Sequence, residues 1–208
     1  SAADRGRVLA AWSGLGYNRR AVALHRAATI IVCRFSGKVP HDAAELRSLP
    51  GVGPATAGAV QAFGFGLPSV FVETNIRRAA LHELFPDREQ VNDRELLPLL
   101  SEALDRSDPR RWYWALMDYG STLARRDYSN PNRRSAHHSL QSTFHGSNRQ
   151  QRGRILKALA TRGPLSFDKL TTLIGANDRP ERERALHNVD VMHADGLIDI
   201  GPKVVRLA

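Results

Sequence analysis

Glu73 is the acid on which a chemistry can be built. It stands in Val70-Phe71-Val72-Glu73-Thr74-Asn75-Ile76-Arg77-Arg78, between an apolar run and a helix carrying two arginines. A carboxylate so placed suits the stabilisation of positive charge that develops on a reacting centre. Upstream, Leu49-Pro50-Gly51-Val52-Gly53-Pro54-Ala55-Thr56-Ala57 reads as a tight turn opening a helix. Gly51 and Gly53 can take positive φ and let another backbone come close. Pro54 suits the first helical position, where its missing N–H costs nothing. Such a turn presents unpaired N–H groups and a positive dipole end, which favour a phosphate. The pair reads as a phosphate grip followed by a carboxylate. Each half also has an ordinary reading: a helix–turn–helix corner, and an N-cap acid paired with arginine. Their order and spacing are more specific than either alone.

The elements that must position these residues follow from apolar periodicity. Residues 5–13 form a short helix with Val8, Leu9 and Trp12 inward, and Gly14-Leu15-Gly16 breaks it. Helical spacing resumes over 17–35 through Ala21, Leu24, Ala27, Ala28, Ile31 and Val32. Asn18, Arg19 and Arg20 near its start suit either a solvated face or a nucleic-acid backbone. A short helix runs from His41-Asp42 to Leu46, and further helices cover 74–84, 95–104 and 109–124. Pro98 belongs near a helix start or a kink. Trp112, Trp114 and Tyr119 read as core rather than as a stacking platform, and Asp118 is a second acid to place.

Composition narrows the partners. The chain of 208 residues has a net charge of +9, supplied mostly by arginine; lysine occurs only at 38, 157, 169 and 203. Arginine's planar fork suits phosphates and base edges. Membrane-surface or RNA contact would also use such charge. No apolar run is long enough to span a bilayer, and no signal-peptide pattern opens the chain, so an intracellular protein is expected, nucleoid-associated or nuclear. Cys33, the single cysteine, excludes an internal disulfide and reads as a core residue. Residues 125–150 are a polar, basic linker. His137, His138 and His145 have no cysteine or closely spaced acid beside them, which argues against a metal. Residues 151–208 read as a separate small domain of three helices and a hairpin, which resembles a winged helix. Its third helix mixes Glu181, Glu183 and Asp190 with Arg182 and Arg184, leaving groove reading, protein contact and a structural wing open.

The motifs L-P-G-V-G-P-x-T-A-G-A-V and V-E-T-N-I-R-R, with Ala11-Trp12-Ser13-Gly14-Leu15-Gly16-Tyr17-Asn18-Arg19-Arg20-Ala21 and Ala115-Leu116-Met117-Asp118-Tyr119-Gly120, resemble the helix–hairpin–helix/GPD superfamily of DNA base-excision glycosylases. The likeness runs over residues 5–125 and points to MutY-type A/G-specific adenine glycosylases. The expected fold is therefore mainly α: a truncated glycosylase core over 1–124, a linker over 125–150 in place of a cluster loop, and a winged-helix-like α+β domain over 151–208. The resemblance implies Glu73 and Asn75 as catalytic residues, with glutamate where relatives have aspartate. It implies DNA contacts from Gly51, Val52, Gly53, Thr56, Arg19, Arg20 and Arg77. It also implies a monovalent cation, Na+ or K+, on the carbonyls of Arg47, Leu49 and Val52. Many relatives hold an iron–sulfur cluster on four cysteines after M-D-x-G; this chain lacks them, so no cluster is expected. Ala55 replaces the lysine of strand-cutting relatives, which implies hydrolysis without lyase activity. The upstream glutamate and glutamine-rich wedge of relatives do not appear, so a fragment is expected. The 8-oxoguanine-reading domain of relatives is not seen either. The expected function is removal of adenine opposite 8-oxoguanine from duplex DNA by a monomer. Thymine or uracil mismatches, deaminated bases, and a DNA-binding protein without catalysis are the alternatives.

Overall fold

The computed structural model describes residues 2–126, 130–140 and 143–208. They divide into two compact units: residues within 39–140 form one, and those within 1–38 and 141–208 form the other.

The 39–140 unit begins with α3 (Ala43–Arg47), capped by the Asp42 carboxylate, which accepts from the Ala44 and Glu45 amides at 2.8 and 3.0 Å. A turn leads to α4 (Pro54–Ala59), which continues into a single π-helical stretch, Val60–Gly64. An extended segment then feeds α5 (Thr74–Leu84), followed by α6 (Asp93–Ala103) and α7 (Pro109–Arg126). Phe71, Ile76, Leu81, Val91, Leu96, Leu100 and Tyr113 form the core of this unit. The periodicity locates α5 to the residue; α6 starts earlier than its apolar set indicates. There Asn92 and Glu95 close a capping box, so Pro98 lies inside the helix rather than near its start. Its missing N–H leaves the Arg94 carbonyl without a helical partner, on an exposed side that water can serve.

Part of the expected linker packs on α5. The short 3₁₀ turn Pro131–Arg134 lies against that helix. Asn132 Nδ2 donates to the Thr74 carbonyl at 3.1 Å, and Arg134 donates to the Leu81 carbonyl at 3.0 Å. The Val91 N–H donates to Arg134 O and the Ala136 N–H to Val91 O, both at 2.9 Å. Residues 127–129, 141 and 142 of the linker lie outside the described residues.

The other unit contains α1 (Arg5–Ala11), α2 (Arg19–Phe35), α8 (Asn148–Arg162), α9 (Phe167–Ile174), α10 (Arg179–Ala194), β1 (Ile198–Ile200) and β2 (Val205–Leu207). β1 and β2 pair antiparallel with Ile198 opposite Leu207, and Leu165 bridges to Val205. Among the described residues the chain is thus mainly helical, with a small hairpin near its C-terminus. Leu9, Ala21 and Val22 share one buried core with Ile155, Leu159, Leu170, Met192 and Ile198. A boundary drawn along the chain at 151 therefore parts residues that the structure packs together. Periodicity shows that α1 has an apolar face; it does not show which face covers it.

Two expectations on α2 are corrected. Cys33 is exposed rather than in the core. Leu24 is 56% exposed and Val32 50%, although their spacing placed them inward. The buried residues are Ala21, Val22 and Ala27, so the helix is held chiefly through its N-terminal half.

Candidate active site

The turn between α3 and α4 is set by its residue types. Val52 N–H donates to Leu49 O at 3.2 Å, and Gly51 between them has φ +76°. Proline second and a left-handed glycine third are the signature of a type II turn. Leu46 and Leu49 are buried beneath it and fix its position. Gly53 does not use positive φ: at −89°, −179° it is the extended N-cap of α4. A Cβ there would meet nothing within 4 Å, so the surface around it is open. Gly51, Gly53 and Thr56 are exposed. The Gly51 and Gly53 N–H groups have no partner among the described residues, whereas the Val52 N–H closes the turn and is not available to a phosphate. The carbonyls of Arg47 and Val52 accept no hydrogen bond among the described residues, and that of Leu49 accepts one. Each keeps a lone pair, and three neutral carbonyls fit a hard monovalent cation. Ala55 stands half-buried beside this turn and offers no nucleophile.

Glu73 is the N-cap of α5. Its Oε1 accepts from the Asn75 and Ile76 amides at 2.6 and 2.8 Å, satisfying two of the helix's orphan donors. The ordinary reading of Glu73 as a cap thus describes one oxygen. Oε2 accepts no hydrogen bond among the described residues, and the side chain is half-buried. The cap fixes the carboxylate's direction at the N-terminus of α5.

Asn75 is held from behind. Its Oδ1 accepts from Arg78 at 2.8 Å. Arg78, only 8% exposed, also donates to Gly120 O at 2.8 Å and to Asn130 Oδ1 at 3.2 Å. One buried guanidinium therefore joins α5, α7 and the 130–134 segment. Gly120, the glycine of M-D-Y-G, brings α7 against this point: a Cβ on it would lie 2.1 Å from the Asn75 carbonyl oxygen. Gly58 does the same for α4, where a Cβ would lie 2.7 Å from that of Phe71. Tyr113 completes the support. It is fully buried, stacks on Phe71 with ring centroids 4.3 Å apart, donates to Ser69 O at 2.8 Å and accepts from the Phe71 N–H at 3.3 Å. Burial pushes its phenol pKa above the ordinary value.

Other expected residues have different partners. Arg77, expected on DNA, forms a two-pronged pair with Asp93, Nε to Oδ1 and NH2 to Oδ2 both at 2.7 Å. That fork is occupied by a carboxylate and links α5 to α6. The hydrogen bonds from Arg77 hold the Asp93 carboxyl below the usual aspartate range. Asp118 is exposed, and its side chain accepts no bond among the described residues. Trp114 is 55% exposed, so the aromatic run of α7 is core at Tyr113 rather than throughout. Arg19 and Arg20 belong to the other unit. Arg19 pairs with Asp195, and Arg20 lies over the rings of Trp12 and Tyr17 at 5.5 and 5.3 Å.

Arg78, Gly120 and Asn130 carry the site's support without standing out as functional residues in the sequence. Signals existed for two of them. Adjacent arginines on a helix point about 100° apart, so Arg77 and Arg78 could not share a role. A glycine in the middle of an 18-residue helix costs stability and marks a close approach.

Comparison with known proteins agrees with this geometry. The helix-hairpin-helix motif matches residues 34–63. The chain is 31% identical over 217 residues to the adenine DNA glycosylase of Mycolicibacterium smegmatis, covering 96% of this chain and 72% of that protein. It is 32% identical over 221 residues to that of Mycobacterium tuberculosis, covering 92% and 68%. With the Buchnera aphidicola adenine DNA glycosylase the identity is 34% over 128 residues, spanning 60% of this chain and 35% of the relative. On these matches, with the hairpin and the capped carboxylate in place, the chain belongs to the adenine DNA glycosylase (MutY) family of helix–hairpin–helix DNA glycosylases.

Proposed function

We propose that this chain carries the catalytic carboxylate of a monofunctional DNA glycosylase that removes adenine opposite 8-oxoguanine. The observation that carries the reading is Glu73: half-buried, aimed by two backbone amides, with one oxygen left over. In the reaction the C1′–N bond breaks, the base leaves with the electron pair and takes up a proton, and water adds to C1′. The product is an abasic site. The sugar passes through an oxocarbenium-like state, which the Glu73 carboxylate stabilises through its charge. Glutamate is one methylene longer than aspartate, about 1.5 Å. Its capping bonds draw the chain back onto its own helix, which absorbs part of that length. Asn75, fixed by Arg78, orients the same turn.

Extrusion of a base from the duplex requires a grip on the deformed backbone. The exposed Gly51 and Gly53 amides and Thr56 provide it, with a monovalent cation on the Arg47, Leu49 and Val52 carbonyls. Ala55 supplies no amine for a Schiff base, so the strand is left uncut. The core is a helix–hairpin–helix domain, and the region from α8 onward is winged-helix-like. The partner is double-stranded DNA with a mispaired or damaged base, bound by a monomer inside the cell.

A second reading is a DNA-binding protein without catalysis. It is favoured by Glu73 Oε1 being committed to the helix cap. A single-turnover panel separates the two. Duplexes carry adenine opposite 8-oxoguanine, thymine or uracil opposite guanine, or hypoxanthine, and alkali reveals abasic sites. Release of adenine supports the proposal; release of another base reassigns the substrate. Tight binding with no release from any duplex contradicts catalysis.

A further inference from the structure

We propose that the concavity between the end of α8 and α9 is a docking site for an acidic amphipathic segment of a partner protein.

The concavity measures about 630 Å3 and is lined by Arg162, Leu165, Asp168, Lys169, Thr172 and Leu173. That volume falls within the range of about 300–1,000 Å3 of ligand-binding clefts. All six residues belong to one compact unit. The local sequence sets its walls. α8 ends at Arg162, and Gly163 at φ +74° turns the chain. Leu165 is then pinned to Val205: its N–H donates to the Val205 carbonyl at 2.9 Å, and its carbonyl accepts from the Val205 N–H at 2.8 Å. Ser166 opens α9 as its N-cap. Lys169 and Leu173, four residues apart, share a face of that helix.

The apolar part lacks a cover. Leu173 is 50% exposed and Leu165 is half-buried. Covering them is favourable to a partner that brings apolar groups of its own. The polar part has a sign. Asp168 is the acid among the lining residues, and Arg182 pairs with it. Arg162 and Lys169 are exposed and form no ion pair among the described residues. Thr172 donates its hydroxyl to the Asp168 carbonyl at 2.9 Å, so it needs no bond from a ligand. Leucine flanked by two uncompensated cations remains. Its complement is apolar side chains flanked by carboxylates, which an amphipathic helix presents at i, i+3 and i+4.

The same features argue against other occupants. Duplex DNA would satisfy the cations, but its phosphates offer nothing to the leucines. A second copy of this chain would bring a net charge of +9 to a basic rim.

The test uses the whole chain and a fluorescein-labelled amphipathic peptide of leucine, alanine and glutamate, with leucines at every third and fourth position. Fluorescence anisotropy should show saturable binding that weakens with added salt. A peptide with glutamine in place of glutamate, and one with alanine in place of leucine, should each bind about tenfold less tightly. Arg162→Ser/Lys169→Ser should weaken binding of the acidic peptide about tenfold and leave the glutamine peptide unchanged. Leu173→Ser should weaken both about fivefold. These positions are exposed, and an unchanged melting temperature checks that each variant folds. Lys38→Ser/Lys203→Ser removes the same charge elsewhere and should bind like wild type. No binding by wild type, equal binding of the acidic and glutamine peptides, or equal weakening by the control pair would overturn the inference. So would wild-type peptide affinity in Arg162→Ser/Lys169→Ser together with weakened affinity for an undamaged duplex, which would give these cations to DNA. None of these readouts involves base release, so their failure leaves the glycosylase reading untouched.

Discussion

At Glu73 two roles meet in one side chain. Oε1 caps α5, while Oε2 accepts no hydrogen bond among the described residues. Glutamine keeps the capping oxygen and removes the charge, so it separates the two roles. Arg78 acts through others: it reaches Asn75, Gly120 and Asn130 from a buried position. Arg78→Met leaves those acceptors without their donor. It should destabilise the chain by about 3 kcal/mol, read from the chemical-denaturation midpoint, because each buried unpaired group costs about 1–3 kcal/mol. A change under about 0.5 kcal/mol, the range of ordinary surface substitutions, would contradict its assigned role.

Two contacts between helices hold the candidate site. At Gly120, α7 touches the backbone of α5. Gly120→Ala places a methyl where the Asn75 carbonyl lies, so the helices must part. Overpacking of this kind costs about 1–3 kcal/mol. A displacement of about 1 Å at a catalytic group costs on the order of 100-fold in rate. Single-turnover base release should fall by that order; an unchanged rate would show that α7 does not set the site. The second contact is Arg77–Asp93, between α5 and α6. Asp93 is held below its unfolded pKa, so the pair's contribution is complete above the ordinary aspartate range. It is lost as pH falls through the folded value. An acid melting series should therefore show wild type losing more stability than Asp93→Asn; parallel curves would contradict the pair. Helix α5 was legible because Glu73 caps it and Pro86 follows it. The turn was legible because Pro50-Gly51 encodes its type. The Arg77–Asp93 pair was not, because 16 residues separate its members and no pattern in the chain aligns them.

Across the whole molecule, the two compact units do not follow chain order. Helices α1 and α2 lie far from α8–α10 in sequence yet share their core through Leu9, Ala21 and Val22. Periodicity is local, so it announced each apolar face without pairing them. This grouping has a measurable consequence. Met192→Ala removes a fully buried side chain and should cost about 2–5 kcal/mol. Hydrogen exchange should accelerate in α1 and α2 as well as in α8–α10, while α5 and α7 keep their protection. Unchanged exchange in α2 would contradict a shared core. The central claim is that Glu73 performs chemistry and is more than a cap. The most direct test compares wild type with Glu73→Gln on a duplex carrying adenine opposite 8-oxoguanine, measuring single-turnover adenine release and duplex affinity together. The account predicts release by wild type, a loss of at least about 100-fold in the variant, and near-equal affinity. Equal release by both chains would show that the Glu73 charge takes no part in the reaction.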